Sequence, residues 1–213
     1  MDTLKPFLPW LAVVFGYLAG SLSFAVIVSR LMGLNDPRTY GSMSPGATNV
    51  LRSGSKSAAL ATLLLDALKA WLPVMLVKWF GKPYGLEDGT MAMVGLAAFL
   101  GHLFPVFFRF QGGKGVATAL GVLLAFNWML GLAVAASWCI VAFFMRYSSL
   151  ASLVAAVFAP VYYLFGDGLA WYYNKSMLLA ICVMTVLVVW RHALNISRLV
   201  KGTESKLGSR KAK

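Results

Sequence analysis

Apolar residues occupy most of the chain in long runs, and polar or charged residues cluster between these runs. The runs cover about 7–30, 57–80, 90–104, 116–129, 131–145, 149–166 and 175–191. The longer runs reach the roughly 20 apolar residues that a helix needs to cross a bilayer. The pattern predicts an all-α polytopic membrane protein that forms a single membrane domain over 1–213, with a basic polar tail over 202–213.

The stretch 116–145 allows two arrangements because it is apolar throughout. As one helix it would measure about 45 Å, which exceeds the roughly 30 Å thickness of the hydrocarbon core. A break near Asn127, Trp128 and Gly131 would give two shorter helices of about 22 Å each. Length alone leaves both arrangements open.

Charge distinguishes the two arrangements. The chain is 60% hydrophobic and only 12% charged, with a mean hydropathy of +0.75 and a formal charge of +12. With seven spans, all but five of the 19 basic residues share one side; Lys5, Lys78, Lys82 and Lys175 lie opposite, and Lys69 lies within a span. The positive-inside rule therefore predicts seven transmembrane helices, with the N-terminus outside (periplasmic) and the C-terminus cytoplasmic. Basic residues at the ends of apolar runs do not form a nucleic-acid surface, so no nucleic acid is expected.

The first polar segment, which we call the first loop, covers 38–56 and reads RTYGSMSPGATNVLRSGSK. Its glycines and proline are turn residues. Ser42 and Asn49 offer neutral hydrogen bonds, and Arg52 offers a planar fork that suits phosphate. The same composition fits an ordinary solvated loop, and the segment taken alone favours that interpretation.

Residues 110–121 read FQGGKGVATALG and place three glycines around one lysine, directly before an apolar run. In this glycine–lysine loop (residues 112–115), the glycines let backbone N–H groups turn toward an anion and Lys114 adds a charge. The spacing is not that of a Walker A loop, which needs an earlier glycine and a Ser or Thr after the lysine. An interfacial turn with a snorkelling lysine is the alternative. The density of glycine favours an anion-binding loop at a helix N-terminus.

The last polar segment, 191–206, reads RHALNISRLVKGTESK. On a helix, His192, Asn195 and Arg198 would share a face because they are three residues apart. The short segment 146–149 adds Ser148, which also fits a helix cap. Together the segments gather phosphate-binding donors at one membrane face beside an apolar interior. That combination predicts a ligand with an anionic head and an acyl tail.

The acidic residues are too scattered for a metal-dependent phosphate site. Of the 7 Asp and Glu residues, only Asp36 and Glu204 lie in the predicted cytoplasmic segments, and the chain has 2 histidines. We therefore expect no metal and no cofactor, with phosphate held by Arg, Lys and N–H groups. Asp66 and Lys69 lie in the second span at a spacing that predicts a mutual ion pair, with Lys69 reaching the binding site as the alternative.

Three segments carry a family resemblance. GSMSPGATNVLR at 41–52, GHLFPVFFRFQGGKGVAT at 101–118 and RHALNISRLVKGTESK at 191–206 resemble the signature segments of the bacterial acyl-phosphate:glycerol-3-phosphate acyltransferases, the PlsY family. The resemblance covers nearly the whole chain in order and spacing. Met43 and Ser44 depart from it, since the family usually reads GSGNPGATN there.

The resemblance implies a seven-helix enzyme of the bacterial inner membrane, with its active site on the cytoplasmic side. It implies transfer of a fatty acyl group from acyl phosphate to the 1-hydroxyl of glycerol 3-phosphate, giving lysophosphatidate and inorganic phosphate, as the first step of phospholipid synthesis. The expected partners are these two substrates, membrane lipids and a soluble enzyme that supplies acyl phosphate.

Each segment has an expected role under this interpretation. The glycine–lysine loop would hold the phosphate of glycerol 3-phosphate, as the family resemblance supports. The first loop would hold acyl phosphate, and the last segment would orient a hydroxyl or phosphate. The predicted catalytic residues are Ser42, Arg52, Lys114, His192 and Asn195, and the predicted substrate-binding residues are Asn49, Gly112, Gly113, Gly115, Ser148 and Lys69.

The general base has two candidates. One is His192. The other is the phosphate of the donor, because a phosphate monoester has a second pKa of about 6; the resemblance also points to this route, and we favour it. A small anion transporter and a non-catalytic membrane scaffold are the alternatives to an enzyme. Donors clustered at one face, with no internal repeat in the sequence, argue against a transporter.

Overall fold

The computed structural model of the chain describes residues 2–208, which are mainly helical. No β-strand forms within this range, which confirms the all-α prediction. The basic residues Arg210, Lys211 and Lys213 of the predicted tail lie outside the described residues. The α-helices are α1 (Leu8–Gly20), α2 (Phe24–Leu31), α3 (Ala47–Leu51), α4 (Lys56–Phe80), α5 (Asp88–Leu103), α6 (Val116–Phe126), α7 (Trp128–Met145), α8 (Ser148–Phe165), α9 (Lys175–Arg191) and α10 (Ala193–Val200).

The helices have the lengths and surfaces of an integral membrane protein. Within residues 2–208, four are long and apolar enough to cross a membrane: α4, α5 with the 3-10 turn that follows it, α7 and α8. The bent pairs α1 with α2 and α9 with α10 raise the number of candidate spans to as many as 6, and α6 is a shorter apolar helix. Large apolar side chains face outward, and Phe143 and Phe165 are 78% and 77% exposed. Lipid covers such surfaces in a multi-pass membrane protein.

The first predicted span, 7–30, is two helices and not the single helix expected. α1 ends at Gly20 and α2 begins at Phe24, with a bend of 42° between them. The break frees the carbonyl of Leu22, which accepts a hydrogen bond from Lys69 Nζ at 2.6 Å. The sequence predicted one continuous helix because the run is apolar throughout. The break depends on a contact with a distant helix, which an apolar run does not reveal.

The long apolar stretch 116–145 is broken at Asn127. Asn127 Oδ1 accepts hydrogen bonds from two N–H groups in the first turn of α7, at 2.8 and 3.3 Å, and so caps this helix. α7 begins at Trp128, inside the predicted fourth span. α6 has only 11 residues, and two carbonyls at its end accept hydrogen bonds from Lys78 Nζ on α4 at 3.0 and 3.2 Å.

Helix α5 lies at the centre of the bundle and packs against α1, α4, α6 and α9. Its Val94, Phe99 and Leu103 side chains are fully buried. The crossing with α1 is close because Gly20 meets the backbone of Ala98, where a Cβ would collide. This packing holds the end of α5 directly beneath the polar segments.

The polar segments lie together at one end of the bundle. Thr48 Oγ1 of the first loop lies 3.1 Å from Ser148 Oγ at the start of α8. The N–H of Leu207 donates to the carbonyl of Arg146 at 2.6 Å. Residues 202–208, the described part of the predicted polar tail, therefore fold back across the end of the bundle.

Candidate active site

Asn49 organises the first loop from within. The side chain is 3% exposed, and its Nδ2 donates to the carbonyls of Pro37 and Tyr40 at 2.6 and 3.1 Å. Its Oδ1 accepts from the N–H of Ser42 at 3.0 Å and from Arg52 Nη1 at 3.3 Å. All of the usual hydrogen-bonding capacity of the amide serves the loop, and two of the predicted catalytic residues are held on its Oδ1.

Arg52 connects this loop to the C-terminal part of the chain. Its Nη2 donates to Ser205 Oγ at 2.9 Å, across 153 residues of sequence. The arginine is exposed. Arg52 therefore lies at the open face of the site, where a guanidinium can bind a phosphate without first being uncovered.

The glycine–lysine loop rests directly on the end of α5. The N–H of Gly113 donates to the carbonyl of His102 at 3.2 Å, and a Cβ at Gly112 would overlap the carbonyls of His102 and Leu103. Gly115 has a φ of +83° and immediately precedes α6, so the loop runs into a helix N-terminus as the sequence predicted.

Arg191 holds the same loop from the other side. Its Nε donates to the carbonyl of Gly113 at 3.0 Å, and its Nη2 donates to the carbonyl of Gly112 at 2.7 Å. Arg191 was not among the predicted site residues. The fork nevertheless fixes two successive peptide groups beside Lys114.

Lys114 is the charged centre of the cluster. Its Nζ donates to Asn195 Oδ1 at 2.5 Å. Burial lowers the pKa of Lys114 to about 8, with Glu204 opposing the shift and the positive charge of Arg52 adding to it. Arg198 and Arg191 lower it further. An anion bound here would relieve this repulsion and favour the charged ammonium.

Glu204 joins the C-terminal segment to α8 and α10. Its Oε1 accepts hydrogen bonds from Ser149 Oγ and Asn195 Nδ2, both at 2.7 Å. Lys114, Asn195, Glu204 and Ser149 therefore form one continuous hydrogen-bonded chain. The predicted site residues did not include Glu204, Ser149 or Arg191, although Glu204 was one of the two acidic residues placed in the predicted cytoplasmic segments.

His192 lies between α9 and α10 and is 2% exposed. Its Nδ1 lies 2.8 Å from the carbonyl of Val188, so Nδ1 carries the proton and Nε2 is left as an acceptor. Burial lowers the pKa of His192 to about 4; the hydrogen bond to Val188 opposes the shift and the charge of Lys114 adds to it. The imidazole is therefore neutral near pH 7.

Lys69 forms its contacts away from this hydrogen-bonded chain. Its Nζ lies 2.8 Å from Asp66 Oδ1, which is the ion pair that the i,i+3 spacing predicted. It also contacts the carbonyl of Leu22 at 2.6 Å and His102 Nδ1 at 3.0 Å. The alternative, in which Lys69 reaches the substrate directly, stays a prediction. Among residues 2–208, no three His, Cys, Asp or Glu side chains come together in a way that could hold a metal ion.

Comparison with known proteins identifies close relatives over nearly the whole chain. Residues 10–202 match the family model described as glycerol-3-phosphate acyltransferase. The chain is 69% identical over 210 residues to the glycerol-3-phosphate acyltransferase of Albidiferax ferrireducens, covering 99% of this chain and 94% of the relative. It is 60% identical over 203 residues to the protein of the same name from Paraburkholderia xenovorans, covering 94% and 92% of the two chains.

Solved structures match as well. The crystal structure of PlsY, an integral membrane glycerol 3-phosphate acyltransferase, in its glycerol 3-phosphate form has a TM-score of 0.85 and 38% identity to this chain. That match covers 94% of this chain and 96% of the other. The lysophosphatidic acid form of the same protein has a TM-score of 0.83 and 37% identity, covering 94% and 95%.

Proposed function

The chain belongs to the glycerol-3-phosphate acyltransferase family, and from this premise we propose the acyl donor, the site residues and the orientation of the enzyme in the membrane. The protein is an acyltransferase of phospholipid synthesis that acylates glycerol 3-phosphate to lysophosphatidate. The proposed donor is acyl phosphate, which is attacked by the 1-hydroxyl of glycerol 3-phosphate and releases inorganic phosphate.

The hydrogen-bonded chain from Lys114 through Asn195 to Glu204 carries the proposal. It brings together side chains from the glycine–lysine loop, α10 and the C-terminal segment around Lys114. Because burial lowers the pKa of this lysine, a bound anion would stabilise its charged form. The proposed partner is the phosphate of glycerol 3-phosphate, held by Lys114 and the N–H groups of the glycine–lysine loop. Asn195 would orient this phosphate, and Glu204 would hold Asn195 in position through its hydrogen bond to Nδ2.

The first loop is the proposed site for acyl phosphate. Arg52 supplies a guanidinium at the open face, and Ser42 lies beside it because both are bound to Asn49 Oδ1. Ser148 is the proposed further donor, and its contact with Thr48 supports a place next to this loop. The two phosphate sites would then lie side by side, which is what transfer between their ligands requires.

The reaction is a direct displacement at the acyl carbon. The 1-hydroxyl oxygen of glycerol 3-phosphate forms a bond to the carbonyl carbon, and the bond from that carbon to the phosphate oxygen breaks. The hydroxyl proton goes to the departing phosphate, so atoms and charge balance without a further reactant. A covalent acyl-enzyme is not needed because acyl phosphate is already an activated anhydride.

The donor phosphate is the proposed base, and the pKa of His192 supports this choice. A base with a pKa of about 4 is a weak proton acceptor at pH 7. A phosphate with a second pKa of about 6 lies about two pH units closer to pH 7 than this histidine does. His192 would instead accept a hydrogen bond at Nε2 and so orient a substrate hydroxyl.

The proposed topology has seven spans in the inner membrane, with the N-terminus periplasmic and both the active site and the C-terminus cytoplasmic. In this arrangement α1 and α2 form one broken span, α6 is the short span, and α10 lies at the interface. The whole chain 1–213 would form one domain. A soluble enzyme that supplies acyl phosphate would approach from the cytoplasmic face, and the acyl chain would lie among membrane lipids.

The test is an assay of the purified protein with glycerol 3-phosphate and one of three donors: acyl phosphate, acyl-CoA or acyl carrier protein. We expect equal amounts of lysophosphatidate and inorganic phosphate with acyl phosphate, and no product with the other two. Product from acyl-CoA or acyl carrier protein, with none from acyl phosphate, would contradict the proposed donor.

A further inference from the structure

A buried polar cluster lies directly under the glycine–lysine loop and is not used by the proposed reaction. It consists of Asp66 and Lys69 on α4 and His102 in the last turn of α5, all of them buried. Lys69 Nζ has three neighbours that can accept: Asp66 Oδ1 at 2.8 Å, the carbonyl of Leu22 at 2.6 Å and His102 Nδ1 at 3.0 Å. A lysine ammonium has three donors and no acceptor; here it makes two hydrogen bonds, to Leu22 and His102, and an ion pair with Asp66.

The contact with Lys69 determines which nitrogen of His102 carries the proton. Because the ammonium can only donate, Nδ1 must accept, and the ring proton is on Nε2. The Nε2 edge faces the glycine–lysine loop: a Cβ on Gly113 would collide with both His102 Nε2 and the carbonyl of Pro45. The ring is therefore in direct packing contact with the loop.

His102 also holds the loop through its backbone. Its carbonyl is one of the free carbonyls at the end of α5, and it accepts the N–H of Gly113 at 3.2 Å. Pro45 belongs to the first loop, which Asn49 holds independently through the carbonyls of Pro37 and Tyr40. Lys69 thus holds the ring at Nδ1, and Gly113 packs against the Nε2 edge beside the carbonyl of Pro45.

We propose that His102 is a positioning residue, held by the Asp66–Lys69 pair, which sets the register of the glycine–lysine loop and hence the affinity for glycerol 3-phosphate. This inference rests on the proposed role of the loop in binding that phosphate. In this proposal, the function of the Asp66–Lys69 ion pair is to orient the His102 ring. A buried ion pair need not stabilise the fold, so stability alone does not explain its presence.

The first test variant replaces the pair, Asp66→Leu with Lys69→Met, so that no buried charge is left alone. The second is His102→Asn, which keeps an acceptor near the Nδ1 position and removes the Nε2 edge. For both, we expect the KM for glycerol 3-phosphate to rise roughly tenfold, since small misplacements of binding groups have effects of that order or more. The KM for acyl phosphate should stay within about twofold, because Asn49 holds the first loop independently.

KM is the decisive quantity because a merely structural defect lowers the amount of active enzyme and leaves KM unchanged. Lys78→Met is the matched control: Lys78 lies on the same helix and binds backbone carbonyls at the far end of α6. It should change thermal stability without changing either KM.

Combining the two sets of changes sharpens the test. The triple variant carries Asp66→Leu, Lys69→Met and His102→Asn. If the Asp66–Lys69 pair acts only through the His102 ring, this variant should raise the KM for glycerol 3-phosphate no further than the double variant or His102→Asn does. Multiplying effects, or an unchanged KM in a folded double variant, would overturn the proposal. Lys114→Met, measured in parallel, separates the two ideas: if it also leaves that KM unchanged, the proposed role of the loop has failed, and if it alone raises KM, only the role of His102 has failed.

Discussion

Two lysines of this protein, Lys114 in the glycine–lysine loop and Lys69 on α4, lie in opposite kinds of environment. Lys114 is half-buried and donates to Asn195, in a cluster with the positive charges of Arg52, Arg191 and Arg198. Lys69 is buried, paired with a carboxylate and bound to two further acceptors. Positive charge exceeds negative charge around Lys114, whereas a carboxylate neutralises Lys69. This difference is expected between a lysine that binds an anionic ligand and a lysine that holds other protein groups in place.

The same contrast separates the two parts of the site. The first loop is held from within by Asn49, whose buried amide makes three hydrogen bonds to loop groups and a fourth to the carbonyl of Pro37 just before the loop. The glycine–lysine loop is held by groups outside itself, namely Arg191 from α9 and His102 from α5. We infer that the geometry of the first loop is set locally, whereas that of the glycine–lysine loop depends on helix packing.

The largest expected effect comes from removing the charge of Lys114. We expect Lys114→Met to lower kcat/KM for glycerol 3-phosphate on the order of 100-fold, because a preorganised cationic donor is lost from the phosphate site. Steady-state kinetics at varied glycerol 3-phosphate measure this. An equal loss in the Lys78→Met control would mean that the effect is not specific to the site.

A smaller effect is expected at His192. We expect His192→Gln to lower kcat by about tenfold or less, because its proposed role is orientation while the donor phosphate takes the proton. The glutamine amide can still accept a hydrogen bond near the Nε2 position. Loss of nearly all turnover, with both substrates still bound, would assign the base to the histidine.

Glu204→Gln should change the pH dependence more than the rate at neutral pH. The glutamine oxygen can still accept from Ser149 and Asn195, but the negative charge that raises the pKa of Lys114 is lost. That pKa should therefore fall below its value of about 8, so Lys114 loses its proton at a lower pH. The fall in kcat/KM for glycerol 3-phosphate on the alkaline side should move to lower pH, and a shift to higher pH would contradict this account.

The smallest expected effect concerns backbone strain in the first loop. Met43 has a φ of +53° and is 71% exposed, and it is one of the two residues that depart from the family resemblance of the first loop. We expect Met43→Gly to stabilise the protein by about 1 kcal/mol, because glycine adopts this conformation without a Cβ clash. Thermal unfolding in detergent measures it. Met43→Ala retains a Cβ and should show no such gain; equal stabilisation by alanine would point to another cause.

The sequence predicted the features that depend on composition and on local motifs. Basic residues at the ends of apolar runs indicated which segments share a face, and the segments carrying Arg52, Lys114 and Asn195 do meet. The glycine–lysine loop does lead into a helix N-terminus, because Gly115 can adopt the positive φ that starts α6.

The sequence did not predict contacts that depend on how distant helices pack. Arg191 lies 78 residues from Gly113 and Ser149 lies 55 residues from Glu204, so neither pairing has a local signature. The break at Leu22 was missed for the same reason, because its free carbonyl is bound by Lys69, 47 residues away.

The central claim is that the glycine–lysine loop binds glycerol 3-phosphate and the first loop binds acyl phosphate. Equilibrium binding of glycerol 3-phosphate in the absence of acyl phosphate tests this claim most directly. The measurement compares the wild-type protein with Lys114→Met and Arg52→Met by calorimetric titration. This account predicts that Arg52→Met binds glycerol 3-phosphate nearly as tightly as the wild type, and that Lys114→Met binds it far more weakly. Undiminished binding by Lys114→Met would contradict it.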